Sequence, residues 1–140
     1  MIPVQDLCIG NWVYDGEGTQ FPMFIRAIGE DYVYLDFEGN EGDLWESKPE
    51  DLIGIPLTAE ILKKTGLRYE MGYWRLRLDG HITIEYYAHE NRLRRYWQGI
   101  DEWMNHANIR EMTFECQCYN LHEFQNAWNM ATKQQLNIKL

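Results

Sequence analysis

Short runs rich in apolar residues occupy positions 9–14, 21–28, 32–37, 43–46 and 52–55, separated by glycine, aspartate and asparagine. Runs of this length between turn residues read as strands. Asp15-Gly16-Glu17-Gly18, Gly29-Glu30-Asp31 and Glu38-Gly39-Asn40-Glu41-Gly42 supply the turns. Five such strands predict a small SH3-like or Tudor-like β-barrel over residues 1–56, because a curled sheet covers edges that a flat one leaves open.

Residues 57–66 carry both end signals of a short linker helix. Thr58 can cap the first amides, Leu57 and Leu62 stand at staple positions, Lys63 and Lys64 suit the C-terminal dipole, and Gly66 suits the left-handed residue that follows. From 67 to 140 the pattern predicts an antiparallel sheet covered by a C-terminal helix, which makes the class α+β. Strand 73–78 turns at Asp79-Gly80-His81 into 82–87. A two-residue loop would set Trp74 and Leu76 beside Glu85 and Thr83. A three-residue loop instead pairs Leu78 with Ile82, Leu76 with Ile84 and Trp74 with Tyr86, with Arg75 opposite Glu85 on the other face, and is the expected register. Segment 92–97 adds a strand, and 112–119 alternates with Met112, Phe114, Cys116 and Cys118 on one face. Between them Ile100, Trp103, Met104 and Ala107 show helical spacing, in a stretch short enough to be loop. Asn120 and Glu123 resemble a capping box, Tyr119 and Phe124 a staple, and Leu121, Phe124, Trp128 and Ala131 an apolar stripe for the closing helix. Residues 136–140 can end the chain as a short strand.

A chain of 140 residues can bury one core or two small subdomains. Its 45% hydrophobic and 14% aromatic content excludes a disordered polymer. No run reaches the roughly 18 apolar residues of a membrane span, and the N-terminus lacks the regions of a signal peptide, so the expectation is a cytoplasmic protein without a membrane partner. Cys8, Cys116 and Cys118 are then expected as reduced thiols. The net charge of −9 is divided unevenly. Residues 1–62 hold thirteen acids against Arg26 and Lys48, whereas 63–140 hold nine acids and eleven bases. The acidic half repels nucleic-acid backbone and suits basic partners.

Leu7-Cys8-Ile9-Gly10-Asn11-Trp12-Val13, Ile53-Gly54-Ile55-Pro56-Leu57-Thr58-Ala59-Glu60-Ile61-Leu62 and Asn120-Leu121-His122-Glu123-Phe124-Gln125-Asn126-Ala127-Trp128 form three blocks near the start, middle and end. They resemble the "RIGN" opening, the "IPLTEEIL" middle and the "VHQLQNLYFALTGEEL" ending of a family of small uncharacterised proteins of anaerobic gut bacteria and their mobile elements. Cys8 replaces the usual arginine, and Lys133 stands where the family ending has glycine. The resemblance implies a shared fold and a phage or mobile-element origin, and brings no established activity and no catalytic residue.

Candidate chemistry is sparse. Cys116, Cys118 and His122, with the distant Cys8, are metal-like residue types, but Cys-x-Cys on a strand is not the spacing of a structural zinc knuckle, and the expected reading is two half-buried cysteines on a core-facing strand beside a polar helix residue. Nothing sets His81, His89 or His106 beside a nucleophile, and the acid pairs at 30–31, 50–51 and 101–102 suit solvated loops. No enzyme, cofactor or metal is expected. Arg92, Arg94 and Arg95 beside Tyr96 and Trp97 could contact phosphates and bases, yet they make a small footprint and can instead pair with acids across strands, so nucleic acid is not the expected partner. Trp12, Tyr14, Tyr34 and Trp45, with Asp43 and Glu46, could line an acid-rimmed groove for a basic or proline-containing segment; packing into the core is the alternative. The expected function is a non-enzymatic protein-interaction module, a monomer or homodimer with a protein partner. The competing reading is an acidic decoy of a nucleic-acid-binding or host-defence protein.

Overall fold

The computed structural model describes residues 2–16, 20–101, 103 and 106–140. The chain divides into two compact units: residues up to 57 with 119–126 and Leu140, and residues 58–118 with 127–139. Each is built on a five-stranded antiparallel sheet.

The first sheet comprises β1 (Trp12–Asp15), β2 (Pro22–Ile28), β3 (Val33–Asp36), β4 (Trp45–Ser47) and β5 (Leu52–Gly54), in the order β4-β3-β2-β1-β5. Val13, Met23, Ile25, Val33, Leu35 and Leu52 point to one face and form its core with Ile2 and Leu7. A flat sheet would hold β4 about 14 Å from β1, three ladder spacings away. The Trp45 indole N–H nevertheless donates to the Asp15 carboxylate, and the Ser47 hydroxyl donates to the same group at 3.3 Å. The sheet is therefore strongly curled, with side chains bridging the curl. No ladder joins β4 to β5 or β1 among the described residues, so the closed barrel expected from the sequence is present only as this open, curled sheet.

The three sequence blocks meet in this unit at the start of helix α2 (Leu121–Thr132). The Gln125 side chain accepts from the Trp12 N–H at 2.8 Å and donates to the Gly10 carbonyl at 2.9 Å. Asn126 accepts from the Asn11 amide and donates to the Asp6 carbonyl, both at 2.9 Å. Gly10 has φ 94, which glycine adopts at no steric cost. From the middle block, the Ile55 carbonyl accepts from the Leu121 N–H at 2.8 Å, and Leu57 donates to Tyr119. A Cβ on Gly54 would come within 2.6 Å of the Asn120 side chain, so this approach requires glycine. At the helix start Glu123 accepts from both the backbone and side-chain N–H groups of Asn120.

In the second unit, helix α1 (Ala59–Lys63) begins as expected, with the Thr58 hydroxyl oxygen accepting from Ile61, and Gly66 takes the left-handed conformation after it. The sheet runs β10-β9-β8-β7-β6, from β6 (Arg68–Glu70) through β7 (Tyr73–Arg77), β8 (Ile82–Tyr87) and β9 (Arg92–Asp101) to β10 (Ala107–Gln117). The β7–β8 register is the expected one, with Trp74 opposite Tyr86 and Arg75 opposite Glu85. Trp74, Ile84, Tyr86 and Leu93 are buried on one face, and the Tyr86 hydroxyl donates to the Cys118 carbonyl at 2.9 Å.

Other expectations are corrected. Residues 98–101 and 107–110 pair as an extended ribbon, because cross-strand bonds satisfy a backbone whose side-chain spacing alone suggested a helix; Met104 lies outside the described residues. A bulge at Thr113 breaks the alternation of β10, so Met112 faces the side opposite Phe114 and Cys116. Residues 136–140 are not a strand, although Leu136 and Ile138 are buried. The closing helix, expected to cover the second sheet, is divided between the units: residues 127–132 belong to the second, and 121–126 to the first, where they bond to β1 and the turn before it.

Two stability changes follow. Gln125→Ala strands a buried N–H and a carbonyl, and should lower the unfolding free energy by about 2–3 kcal/mol in urea titration. Lys133 ends α2 in the left-handed region at φ 59, so Lys133→Gly should raise stability by about 1 kcal/mol, read as a higher melting temperature.

Candidate functional site

The residues named for an aromatic groove fall on two faces of the first sheet. Register puts Trp12, Tyr14, Tyr34 and Glu46 on the face away from the core, and Trp45 on the core side at its rim. Trp12 is 6% exposed and packs edge-on against Phe24 with centroids 5.1 Å apart. Tyr14 and Tyr34 are half-buried, while Glu46 and Asp43 are exposed. Trp45 is half-exposed but tethered to Asp15. Four of the six residues thus share one face of the sheet, and Trp45 stands on the other.

A concave groove of about 490 Å³ lies elsewhere in the same unit. Three turns build it. Gly29 donates to the Tyr32 carbonyl at 2.8 Å and closes the β2–β3 turn, putting Glu30 and Asp31 at its tip. The 3₁₀ turn Pro49–Asp51 joins β4 to β5, with proline at its first position, where the fixed φ suits a turn. A second 3₁₀ turn, Val4–Asp6, follows the buried Ile2. Ile2, Val4, Tyr32 and Pro49 line the groove, and Glu30, Asp31 and Glu50 surround it with Lys48 as the one base. Tyr32 was legible only as a strand start, and nothing in its spacing marked it as a lining residue.

The second unit carries a different surface. On the face of its sheet opposite Trp74 and Tyr86, register gathers Arg68, Arg75, Arg77, Arg92, Arg94 and Arg110 with Tyr73, Tyr87 and Tyr96. At its centre Glu85 is 1% exposed and held bidentately by Arg110 at 2.6 and 2.7 Å, with the Tyr87 hydroxyl donating to the same carboxylate. Arg110 lies 3.7 Å from the Tyr96 ring centroid and Arg94 lies 4.6 Å from that of Tyr87. Arg92 and Arg94 also pair with Glu115. Burial alone would raise the Glu85 carboxyl, but the Arg110 and Tyr87 hydrogen bonds and the charges of Arg110 and Arg75 outweigh it and hold the group below its ordinary 4.5. Burial and the Glu85 carboxylate push the Tyr87 hydroxyl well up.

His122 is buried in α2, where burial pushes its pKa down and its Nδ1 has no hydrogen-bond partner among the described residues. Cys116 is half-buried and Cys118 buried. No group of three or more potential metal ligands occurs among the described residues. Comparison with protein-family models, characterised proteins and solved structures finds no match to this chain.

The depressed Glu85 value fixes a sign. The unfolded chain takes up this proton at a higher pH than the folded one, so the stability Glu85 contributes is complete above 4.5 and is lost as pH falls through the lower folded value. Arg110→Met leaves a buried carboxylate without its bidentate partner and should cost about 3 kcal/mol at neutral pH. In that variant burial dominates and Glu85 titrates above its ordinary value, so acidification should relieve the loss; urea midpoints across pH 7 to roughly 3.5 read both effects.

Proposed function

We propose that the protein is a non-enzymatic interaction module that takes a basic, proline-containing segment in the acid-rimmed groove of its first unit. The observation carrying this reading is the groove itself, lined by Ile2, Val4, Tyr32 and Pro49 together with three acids, Glu30, Asp31 and Glu50, against one base, Lys48. Proline-rich segments enter such grooves at low entropic cost because they are extended before binding, and flanking basic residues find the acids. The position of the groove supports an SH3-like reading of the curled sheet. Its strands follow a meander whose fifth strand returns beside the first, a 3₁₀ turn precedes that strand, and the groove sits against this turn.

The three sequence blocks favour kinship with the family from gut bacteria and their mobile elements, and converge where they would preserve a fold rather than a reaction centre. The excess of acids in residues 1–62 supports a second reading, an acidic decoy of a nucleic-acid-binding or host-defence protein.

Titration with an arginine- and proline-containing peptide separates these readings. Groove binding should survive moderate salt and weaken at least about tenfold on Tyr32→Ala, as for removal of an aromatic anchor. A decoy should lose affinity steeply with salt while tolerating Tyr32→Ala.

A further inference from the structure

The arginine- and tyrosine-bearing face of the second sheet is not accounted for by the groove. Its six arginines stand against Glu70, Glu85 and Glu115 on the same face, with Glu90 joining from the adjacent turn to pair with Arg94. The acids are unevenly shared. Arg110 takes Glu85 in both oxygens, and Arg92 and Arg94 share Glu115. Arg68, Arg75 and Arg77 form no ion pair among the described residues. Among the described residues Arg77 donates to the Asp79 and Gly80 carbonyls.

These three lie together. Arg68 is directly opposite Arg75, and Arg77 follows two residues along the same strand. Facing like charges destabilise a sheet, and their spacings are roughly 5 Å across the strands and 7 Å along one. The sheet thus places a short row of cations without a contact ion pair along β6 and β7, of which Arg75 still acts through its charge on Glu85 across the strands. The aromatic planes adjoin it: Tyr73 stacks on Tyr87 with centroids 5.0 Å apart and an interplanar angle of 21°, and Arg94 covers the Tyr87 ring.

We propose that this face binds single-stranded nucleic acid, with Arg68, Arg75 and Arg77 contacting successive phosphates and Tyr73, backed on one side by the Tyr87 ring, offering its other plane for an unpaired base to stack on. The pairing of cations with π-faces selects the class of ligand. An acidic peptide would use the arginines and leave the rings idle, and a duplex hides its base faces within its own stack. The proposal does not depend on the groove of the first unit. The overall negative charge opposes it only weakly near the face, because exposed charges beyond about 10 Å are screened at moderate salt.

The test is fluorescence anisotropy of the full chain with labelled 12-mers of dT and U, a duplex of equal length and a poly-glutamate peptide. Expected are saturable binding to the single strands at 50 mM salt and a roughly 15-fold loss at 200 mM, since three phosphate contacts give a log–log slope of about −2. Arg68→Glu combined with Arg77→Glu changes exposed side chains and should weaken binding at least tenfold while circular dichroism stays unchanged and the melting temperature does not fall, since a carboxylate at position 68 would face Arg75. Tyr73→Leu should weaken it about fivefold and leave the salt slope in place. Preference for U over dT, or the reverse, assigns RNA or DNA within the proposed class. Absence of binding at 50 mM salt, indifference to the charge reversal, or equal affinity for the duplex or poly-glutamate would each overturn the proposal.

Discussion

The first unit depends on two side chains near the far end of the sequence. Gln125 and Asn126 bond to the backbone and side chains of residues 6–12, across more than a hundred residues of intervening chain. Closing a loop that long has an entropic cost that grows only slowly with length, but the contact itself must be specific to repay it. An amide supplies that specificity because it presents a donor and an acceptor at once. Gln125 thus completes the turn before β1 much as a neighbouring strand would, and Gly10 and Gly54 keep the approach open.

Much of this architecture could be read from the residues in order. Glycine and asparagine punctuation marked four of the five strands of the first sheet well, and the weak, acidic run at 43–46 still became β4. The β7–β8 register followed from matching Trp74 with Tyr86, since any slip would have turned a tryptophan to water. Thr58 and Glu123 marked helix starts because capping is local chemistry. What escaped was decided at long range. Strand β6 is three residues without an apolar pattern and exists because β7 offers it an edge. The ribbon formed by 98–101 and 107–110 is held by cross-strand partners, and the bulge at Thr113 has no signature in a residue-by-residue alternation.

The functional surfaces show the same division. Single aromatic residues were visible, but not their sides: Trp12 is covered while Tyr32, which no pattern singled out, lines the groove. The arginines of 92–95 were seen as a short cluster and their pairing with acids anticipated. Only the strand register shows that Arg92 and Arg94 share a face with Arg68, Arg75, Arg77 and Arg110, while Arg95 faces the other way. The uneven charge of the chain thus resolves into two surfaces of opposite sign, an acid-rimmed hollow in one unit and an arginine–tyrosine plane in the other.

The bulge at Thr113 bears on how this molecule behaves in a crowd of its own copies. Strand β10 is eleven residues long and stands at the end of its sheet, a geometry that in a straight strand would invite further strands to add and fibres to grow. One extra residue bends the edge and throws its two halves out of phase, so an incoming copy can match one half or the other but not both. The irregularity that spoils the alternation is a safeguard against self-templating.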